Sequence, residues 1–497
     1  MTRIALAKSP ARRLLIAATA AAAGAAFALS GAGSAGSAGS AGSVGYPVVQ
    51  PFAQDSVQVA AGVLPPTQAA CNAVGRRCFT PASMQNSYDV TPLLSGGNDG
   101  HGKTIAIIDS FGYDTVAGDL ENFSQQFGLP LMCGMPNVTC TPGMPTFQWD
   151  QWDGKRPIKQ PPSGSHGTAQ QASNAWAEEV ALDTQWAHAT APGANIILMS
   201  TSVAETQGVQ GLPQMMNAEQ YLVDNHLADV VSQSFSTAEP DFHGGNSIQN
   251  LRHAFISGTA AGVTFLSSSG DSGTENNAKT PIKNPAALDT PSVGWPASDP
   301  LVTAVGGTYL CTDGATGTTV DSTSPGGLCS KYPGQRDVGW TDSGGGYSSI
   351  FARPSYQDTL PAGSTPIGAM RGVPDIAYQA SAGTGVLIYD TAPGDNGGSD
   401  VNDGSWYVIG GTSSSCPQWA GLVAIADQLA GHDLGLIQPK LYSLASGTDH
   451  GTYFFDVTTG NNTVSSTVPG YPATAGWDPV TGLGTPDAAK LLPVLGE

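Results

Sequence analysis

The chain has 497 residues, with 19 Lys and Arg against 39 Asp and Glu, a net charge of −20, and only 12% of its residues are charged. So acidic a chain has no electrostatic footprint for a nucleic-acid backbone, and 40% hydrophobic residues with nine Trp exclude a disordered polymer. Its length allows one large core, and 64 Gly with 36 Pro announce many turns.

Arg3, Lys8, Arg12 and Arg13 precede an apolar run, Leu14 to Leu29, of 16 residues. Small residues follow, with Ala26-Phe27-Ala28 or Ser30-Gly31-Ala32 as the cleavage site. This pattern reads as a secretory signal peptide, since a membrane span needs about 20 apolar residues. Residues 31–43 repeat Gly, Ser and Ala as a linker. Segment 1–43 removes four of the 19 basic residues and none of the 39 acidic ones, so the net charge moves from −20 to −24. The organisation expected is 1–43 signal and linker, 44–79 a short N-terminal segment, and 80–497 one large domain. No later stretch reads as a membrane anchor, and the chain is expected to be a secreted monomer.

Seven cysteines suit an oxidising compartment. Cys71 pairs with Cys78, Cys133 with Cys140 and Cys311 with Cys329 by nearness, leaving Cys416. No CxxC or HExxH suggests zinc.

Beyond residue 100, short apolar strands alternate with longer helical stretches. Strands are expected at Thr104–Asp109, Asn195–Met199, Asp229–Ser234, Val263–Ser268, Leu301–Val305, Val386–Tyr389 and Trp406–Ile409. Helices are expected at 168–189, 214–226, 247–261 and from Ser413 to about Ala430. The pattern predicts an α/β fold with a mostly parallel central sheet and helices on both faces.

Four constellations can carry chemistry. In 410–428 a strand ends in Gly-Gly before Thr412 and Ser413, and a helix follows with Pro417 in its first turn. Ser413 is either a helix cap or a nucleophile whose oxyanion the helix N-terminus favours. In 175–196, Glu179 and Asp183 are four residues apart and share a helix face with Trp176, Val180 and Ala187, while Glu178 points toward solvent. Such a pair shares a proton and can act as a general base; the plain alternative is a solvated acidic face. In 262–274 a strand presents Asp271 in a Gly-flanked turn, either as a turn former or as an oxyanion donor when protonated. Gly270-Asp271-Ser272-Gly273 also matches the nucleophile motif of trypsin-like proteases, with His188 as the available partner. Those enzymes are all-β, so the match is set aside. In 454–462 and 473–486, Asp456, Asp478 and Gly-rich backbone are either simple turns or oxygen ligands for a hard cation.

Together these segments resemble the sedolisins, the serine-carboxyl peptidases, as do PASDPLVTAVGGT (296–308), SGGGYSSIFARPSYQ (343–357) and RGVPDIA (371–377). The likeness spans roughly 80–497, with the motifs in the family's order. It implies a subtilisin-like fold and a Glu-Asp-Ser catalytic set acting on protein or peptide substrates, as an endopeptidase or a tripeptidyl-peptidase. Ser413 is then the nucleophile, Glu179 the base and later the acid, Asp183 its orienting partner, and Asp271 the oxyanion donor. One structural Ca2+ is implied at Asp456, Asp478 and the carbonyls of Val457, Thr474 and Gly476. Thr474 replaces a usual Gly, Phe235 a frequent Trp and Asp109 a frequent Glu.

The implied chemistry predicts activity in acid, where Asp271 keeps its proton. The span from the linker to residue 80 is also too short for the family's folded propeptide, so neutral pH is expected to hold the enzyme idle. Two other readings stand beside this one. A subtilisin-type protease would use Asp109, His166 and Ser413, although in subtilisins the histidine opens the helix that here carries Glu179. A catalytically silent secreted binding protein would keep only the fold.

Overall fold

The computed structural model describes residues 50–51, 54–159, 168–202, 212–242, 245–275, 290–323, 327–392, 404–447 and 450–497. The expected signal and linker (1–43) and His166 lie outside the described residues. In chain order the elements are β1 (Gln50–Pro51), β2 (Gln54–Ala61), α1 (Gln68–Ala73), α2 (Pro81–Ser87), α3 (Thr91–Ser95), β3 (Thr104–Ser110), α4 (Val116–Phe127), β4 (Phe147–Trp152), β5 (Pro157–Lys159), α5 (Thr168–Thr190), β6 (Asn195–Thr201) and α6 (Leu212–Asp224). There follow β7 (Val230–Gln233), β8 (Phe235–Ala238), α7 (Gly245–Gln249), α8 (His253–Ala260), β9 (Thr264–Ser268), β10 (Gly294–Trp295), β11 (Thr303–Leu310), α9 (Leu328–Lys331), β12 (Asp337–Gly339), β13 (Gly346–Ala352), β14 (Met370–Val373), β15 (Ile376–Gln379), β16 (Val386–Asp390), β17 (Ser405–Gly410) and α10 (Thr412–Ala430).

Alternation along β3 sets the layers. Ile105 and Ile107 point into one apolar core, while Ala106 and Ile108 point into a second on the opposite face. The first core holds residues of α4, α5 and α10, the second those of α6 and α8. A sheet covered on both faces needs apolar residues at nearly every position, which is why its strands read as continuous apolar runs. Among the described residues the sheet runs β12-β11-β9-β7-β3-β6-β4-β5, with β15 also on β11. The pairings from β4 across to β11 are parallel, and β5 and β12 close the two edges antiparallel. This is the expected α/β fold with helices on both faces.

The expected strands are all present, most with small shifts at their ends, while the one expected at Leu301–Val305 is β11, Thr303–Leu310, which starts two residues later and ends five residues later; the three disulfides pair as expected, leaving Cys416 free. The helix expected over 247–261 differs. It is two helices, α7 and α8, because the chain turns at Leu251, whose N–H bonds Ile248 O at 2.8 Å. Arg252 beside that turn is pulled onto Asp299, with Nε–Oδ2 at 2.5 Å and Nη2–Oδ1 at 2.9 Å.

Several buried carboxyls ionise late. Burial pushes Asp119 up to about 7, against hydrogen bonds from Thr391 that pull it back. Burial likewise pushes Asp109 and Asp427 to about 8. In the unfolded chain such groups lose their protons near pH 4. The folded state therefore holds more protons between about pH 4 and pH 8, and stability falls as pH rises through that window. Melting temperatures across the window should decline steadily, and Asp119→Asn should make the decline shallower. A melting temperature constant from pH 4 to pH 8 would exclude this account.

Candidate active site

The chain builds β3, β4 and β6 on one side and then returns past β3 to add β7, β9 and β11 on the other. The reversal opens a crevice at the carboxyl ends of β3 and β7, where doubly wound sheets hold their ligands. Asp109 is the next-to-last residue of β3, Ser234 follows β7, and Asp271 lies in the loop after the neighbouring β9.

Helix α5 brings two carboxyls to this crevice. Its rotation is fixed by Gln185, whose Nε2 donates to Tyr389 O (2.7 Å) and whose Oε1 accepts from Tyr389 N–H (3.0 Å), both on β16. Trp186 Nε1 donates to Leu387 O of the same strand at 3.0 Å. The same helix carries Glu179 and Asp183, both fully buried, and α5 packs against α10. Glu178 is half-buried, as expected for a residue turned off this face. Burial raises Asp183 well above the ordinary carboxylate range; the negative charges of Asp109 and Glu179 add to this, and the hydroxyl of Ser234 pulls it back. Among the described residues no cation figures among the groups acting on Asp183 or Asp109. Glu179, Asp183 and Asp109 thus form one cluster of mutually repelling carboxyls.

Ser413 sits in the first turn of α10, just after the Gly410-Gly411 corner. A Cβ on Gly410 would stand 2.3 Å from Ala380 O, so only glycine lets the strand pass. Gly411 caps the helix at φ 112°, in the region that favours glycine. Both glycines of the motif are therefore required by the turn that presents the serine. The Ser413 Oγ is buried and has no hydrogen-bond partner among the described residues, a costly state for a hydroxyl with no task. The amides of a first helical turn have no intrahelical partner and point toward such a site.

Asp271 is tied directly to that turn. Its Oδ1 accepts from the Thr412 N–H at 2.7 Å and from Thr412 Oγ1–H at 2.8 Å. Thr412 Oγ1 in turn accepts from Gly270 N–H at 3.1 Å. One threonine side chain thus clips the loop after β9 to the helix carrying Ser413. Sequence reasoning placed Asp271 and Ser413 but not this clip, because the partners are 141 residues apart.

Other candidates are inert. His188 is buried with Nε2 2.8 Å from Pro130 O, and burial pushes it down to about 4, so it stays neutral. Cys416 lies against Ser232 Oγ (3.4 Å) and Gln233 O (3.8 Å), and burial pushes its thiol up to about 12. It fills space one turn behind Ser413, as expected.

The second expected set forms a separate turn cluster. Asp478 Oδ1 accepts from the N–H groups of Val480 (2.8 Å) and Thr481 (2.9 Å), and Oδ2 from that of Thr474 (3.0 Å). Both oxygens of Asp456 accept from Gly476 N–H, at 3.0 and 3.1 Å. Burial raises both carboxyls, Asp478 to about 7. Among the described residues no three acidic, His or Cys side chains gather as a metal cluster.

Comparison with known proteins adds lineage to this geometry. The Subtilase family profile matches residues 100–438. Kumamolisin of Bacillus sp. (strain MN-32) is 31% identical over 430 residues, covering 84% of this chain and 63% of that protein. Sedolisin of Pseudomonas sp. (strain 101) is 31% identical over 414 residues, covering 83% of this chain and 60% of that protein. This chain thus spans less than two thirds of the length of these relatives. A solved structure of Pseudomonas sedolisin, a serine-carboxyl proteinase complexed with two molecules of pseudo-iodotyrostatin, superposes with a TM-score of 0.63 at 27% identity, covering 84% of this chain and 97% of that one.

If the clip fixes Asp271 against Ser413, Thr412→Val should lower kcat for peptide cleavage about tenfold or more, the scale of a lost hydrogen bond to a carboxyl. KM should stay within about twofold, and Thr412→Ser should restore most of the rate. Equal activity of Thr412→Val and wild type would remove the clip from the reaction.

Proposed function

The chain belongs to the subtilase family and to its sedolisin branch, and from that premise we propose that it is a secreted serine-carboxyl endopeptidase acting on proteins and peptides in acid. Ser413 is the nucleophile, Glu179 the general base and then the general acid, Asp183 the residue that orients and tunes Glu179, and Asp271 the side-chain donor to the oxyanion. The observation that carries the reading is the pair of hydrogen bonds from Thr412 to Asp271 Oδ1, which hold a carboxyl against the turn bearing the serine.

An oxygen that already accepts two hydrogen bonds is the poorer place for a proton, so a protonated Asp271 carries its hydrogen on Oδ2 and can donate it. In the first half-reaction Ser413 Oγ bonds to the substrate carbonyl carbon while its proton passes to Glu179. The carbonyl electron pair moves onto oxygen, which accepts from Ser413 N–H and Asp271 Oδ2–H. Glu179 then gives its proton to the leaving nitrogen as the C–N bond breaks. Water repeats the sequence on the acyl carbon: Glu179 takes its proton and returns it to Ser413 Oγ.

The pH dependence follows. Glu179 must be ionised to accept a proton, while Asp271 must be neutral to donate one. Asp183 stays neutral well above the ordinary range and so adds no competing negative charge beside Glu179 in acid. As pH rises, ionised Asp271 repels the developing oxyanion. kcat/KM on an unfolded protein substrate should therefore peak in acid and fall toward neutrality. Asp271→Ala should cost about 10²–10³ in kcat, and Ser413→Ala and Glu179→Gln should each abolish cleavage. His166→Ala should leave it within a few fold, which separates this set from a histidine-based triad. An optimum at pH 7 or above would contradict the mechanism.

The turn cluster fits a hard cation. Its donors are all oxygen, and the carbonyls of Val457, Thr474 and Gly476 accept no hydrogen bond among the described residues. Asp456, Asp478 and those three carbonyls would hold one Ca2+, which when bound neutralises one buried and one half-buried carboxylate and ties the chain at 456 to 474–478. A chelator should lower the melting temperature, Ca2+ should restore it, and Asp456→Ala should abolish that response. A melting temperature indifferent to chelator would remove the ion.

Secretion is supported by three disulfides and the charged-then-apolar N-terminus. Among the described residues no helix is long and apolar enough to cross a membrane.

A further inference from the structure

The first turn of α10 is short of internal support. Pro417 carries no N–H, so the Ser413 carbonyl lacks the helical hydrogen bond it would otherwise accept. Ser413 Oγ has no partner either among the described residues. Its two neighbours, Thr412 and Ser414, are held from outside the helix, and from different strands.

Val305 of β11 pairs with Ser268 of β9 and also with Ile376 of β15, so β9 and β15 flank β11 on its two edges. All three strands run parallel, and α10 packs against each of them. On the β9 side Thr412 is fixed by Asp271. On the β15 side the partner is Gln379, the last residue of that strand. Its Oε1 accepts from Ser414 Oγ at 2.8 Å, and its carbonyl accepts from Ser415 Oγ at 3.0 Å. The next carbonyl, of Ala380, accepts from Gly411 N–H at 2.6 Å. Gly307 of β11 leaves room for both attachments: a Cβ there would stand 2.5 Å from Ala380 Cβ and 3.4 Å from Thr412 Cγ2. Ser413 is thus the one residue between two anchored neighbours.

Gln379 is itself held in place. It is fully buried, and its Nε2 donates to Ser381 O at 2.9 Å and to Thr384 O at 2.7 Å. The turn that supplies these carbonyls is tied down in its own right, since Ser381 N–H donates to Thr308 O at 3.1 Å and Gly383 O accepts from Arg77 N–H at 3.0 Å. A primary amide has two donor and two acceptor positions, and three of the four are filled here from different directions. Ser414 is fixed at its carbonyl as well, by Gln418 Nε2 at 2.7 Å. Only an amide suits this place, because one end must donate to two carbonyls while the other accepts from a hydroxyl.

We propose that Gln379 is a positioning residue for the peptidase reaction. Through Ser414 it sets, from the β15 side, the rotation of the α10 turn that aims Ser413 Oγ and its N–H at the substrate carbonyl. The inference rests on the peptidase reading and adds to it a residue that touches neither substrate nor any reacting atom. Misplacing a reacting group by about 1 Å costs about 10²-fold in rate, so the effect of Gln379 belongs in kcat and not in KM.

The test uses the full chain and a fluorogenic peptide in acid. Ser414→Ala removes one hydroxyl and leaves Gln379 its bonds to the 381–384 turn. Its kcat should fall about fivefold or more, the scale of one hydrogen bond, with KM within about twofold. Gln379→Met should show the same split. The double variant should be no slower than the slower single one, since both break the same contact. Gln379→Glu, protonated in acid, keeps an acceptor for Ser414 and a donor for one carbonyl, and should restore most of the rate. Wild-type kcat in Ser414→Ala, or single losses that multiply in the double variant, overturns the proposal and leaves the peptidase intact. If Gln379→Met does not fold, the decision falls to the other two variants: unchanged kcat in Ser414→Ala, or a loss in Gln379→Glu as deep as in Ser414→Ala, overturns it. A wild-type chain that cleaves no peptide at any pH fails the peptidase reading before any variant is compared, and the proposal falls with it.

Discussion

The rest of the structure depends on a group of carboxyls buried where β3, β7 and β9 end. Asp109, Asp183 and Glu179 sit together with no water-exposed surface. Placing charge in such a setting is expensive unless a cation balances it or a proton removes it. Among the described residues, four arginines hold other carboxyls. Arg371 holds Asp375, Arg336 holds Asp337, Arg252 holds Asp299, and Arg77 holds Asp321. Among the described residues no such cation acts on Asp109 or Asp183. Asp109 and Asp183 are therefore kept neutral by protons, and their state follows the pH of the surroundings.

The fold makes that cluster possible. Reversal of strand order at β3 opens a crevice between two helical layers, and the strands flanking it end in small or acidic residues: Asp109, Ser232 and Ser234, Ser268 and Ser269. Bulky termini there would fill the crevice. Helix α10 then crosses with its N-terminus at the crevice, so backbone amides and Ser413 arrive together. The Thr412 clip joins this helix to the loop after β9, and the hydrogen bonds of Gln185 and Trp186 to β16 lock α5. Each catalytic candidate is thus held by a rigid element and a second contact.

Much of this was legible in local pattern. Glu179 and Asp183 stand four apart among Trp and Ala, neighbours that weigh against a solvated acidic face. Gly410-Gly411 before Thr412-Ser413 marked a close strand-to-helix turn. What escaped has a common cause. The Asp271–Thr412 clip and the β1–β8 pairing both join residues distant in sequence. A two-residue strand containing proline also has no periodicity to read. The break between α7 and α8 escaped because the apolar spacing continues across it, while the competing force is the ion pair from Arg252 to Asp299.

Protons couple the site to the stability of the whole molecule. An active site that needs charged groups in a dry setting normally costs stability at its working pH. Here the buried acids stabilise the fold while protonated, since Asp109, Asp119 and Asp427 all hold their protons far above the unfolded value. Under the acid mechanism the pH that keeps Asp271 able to donate is also the pH at which those groups are neutral and the fold most secure. A net charge of −20 works in the same direction. With few Lys and Arg, protonating the carboxyls brings the surface toward neutrality instead of the positive excess that drives ordinary proteins apart in acid. Activity and stability then rise together as pH falls, and a rise in pH weakens both through one chemical event, the loss of protons from buried carboxyls.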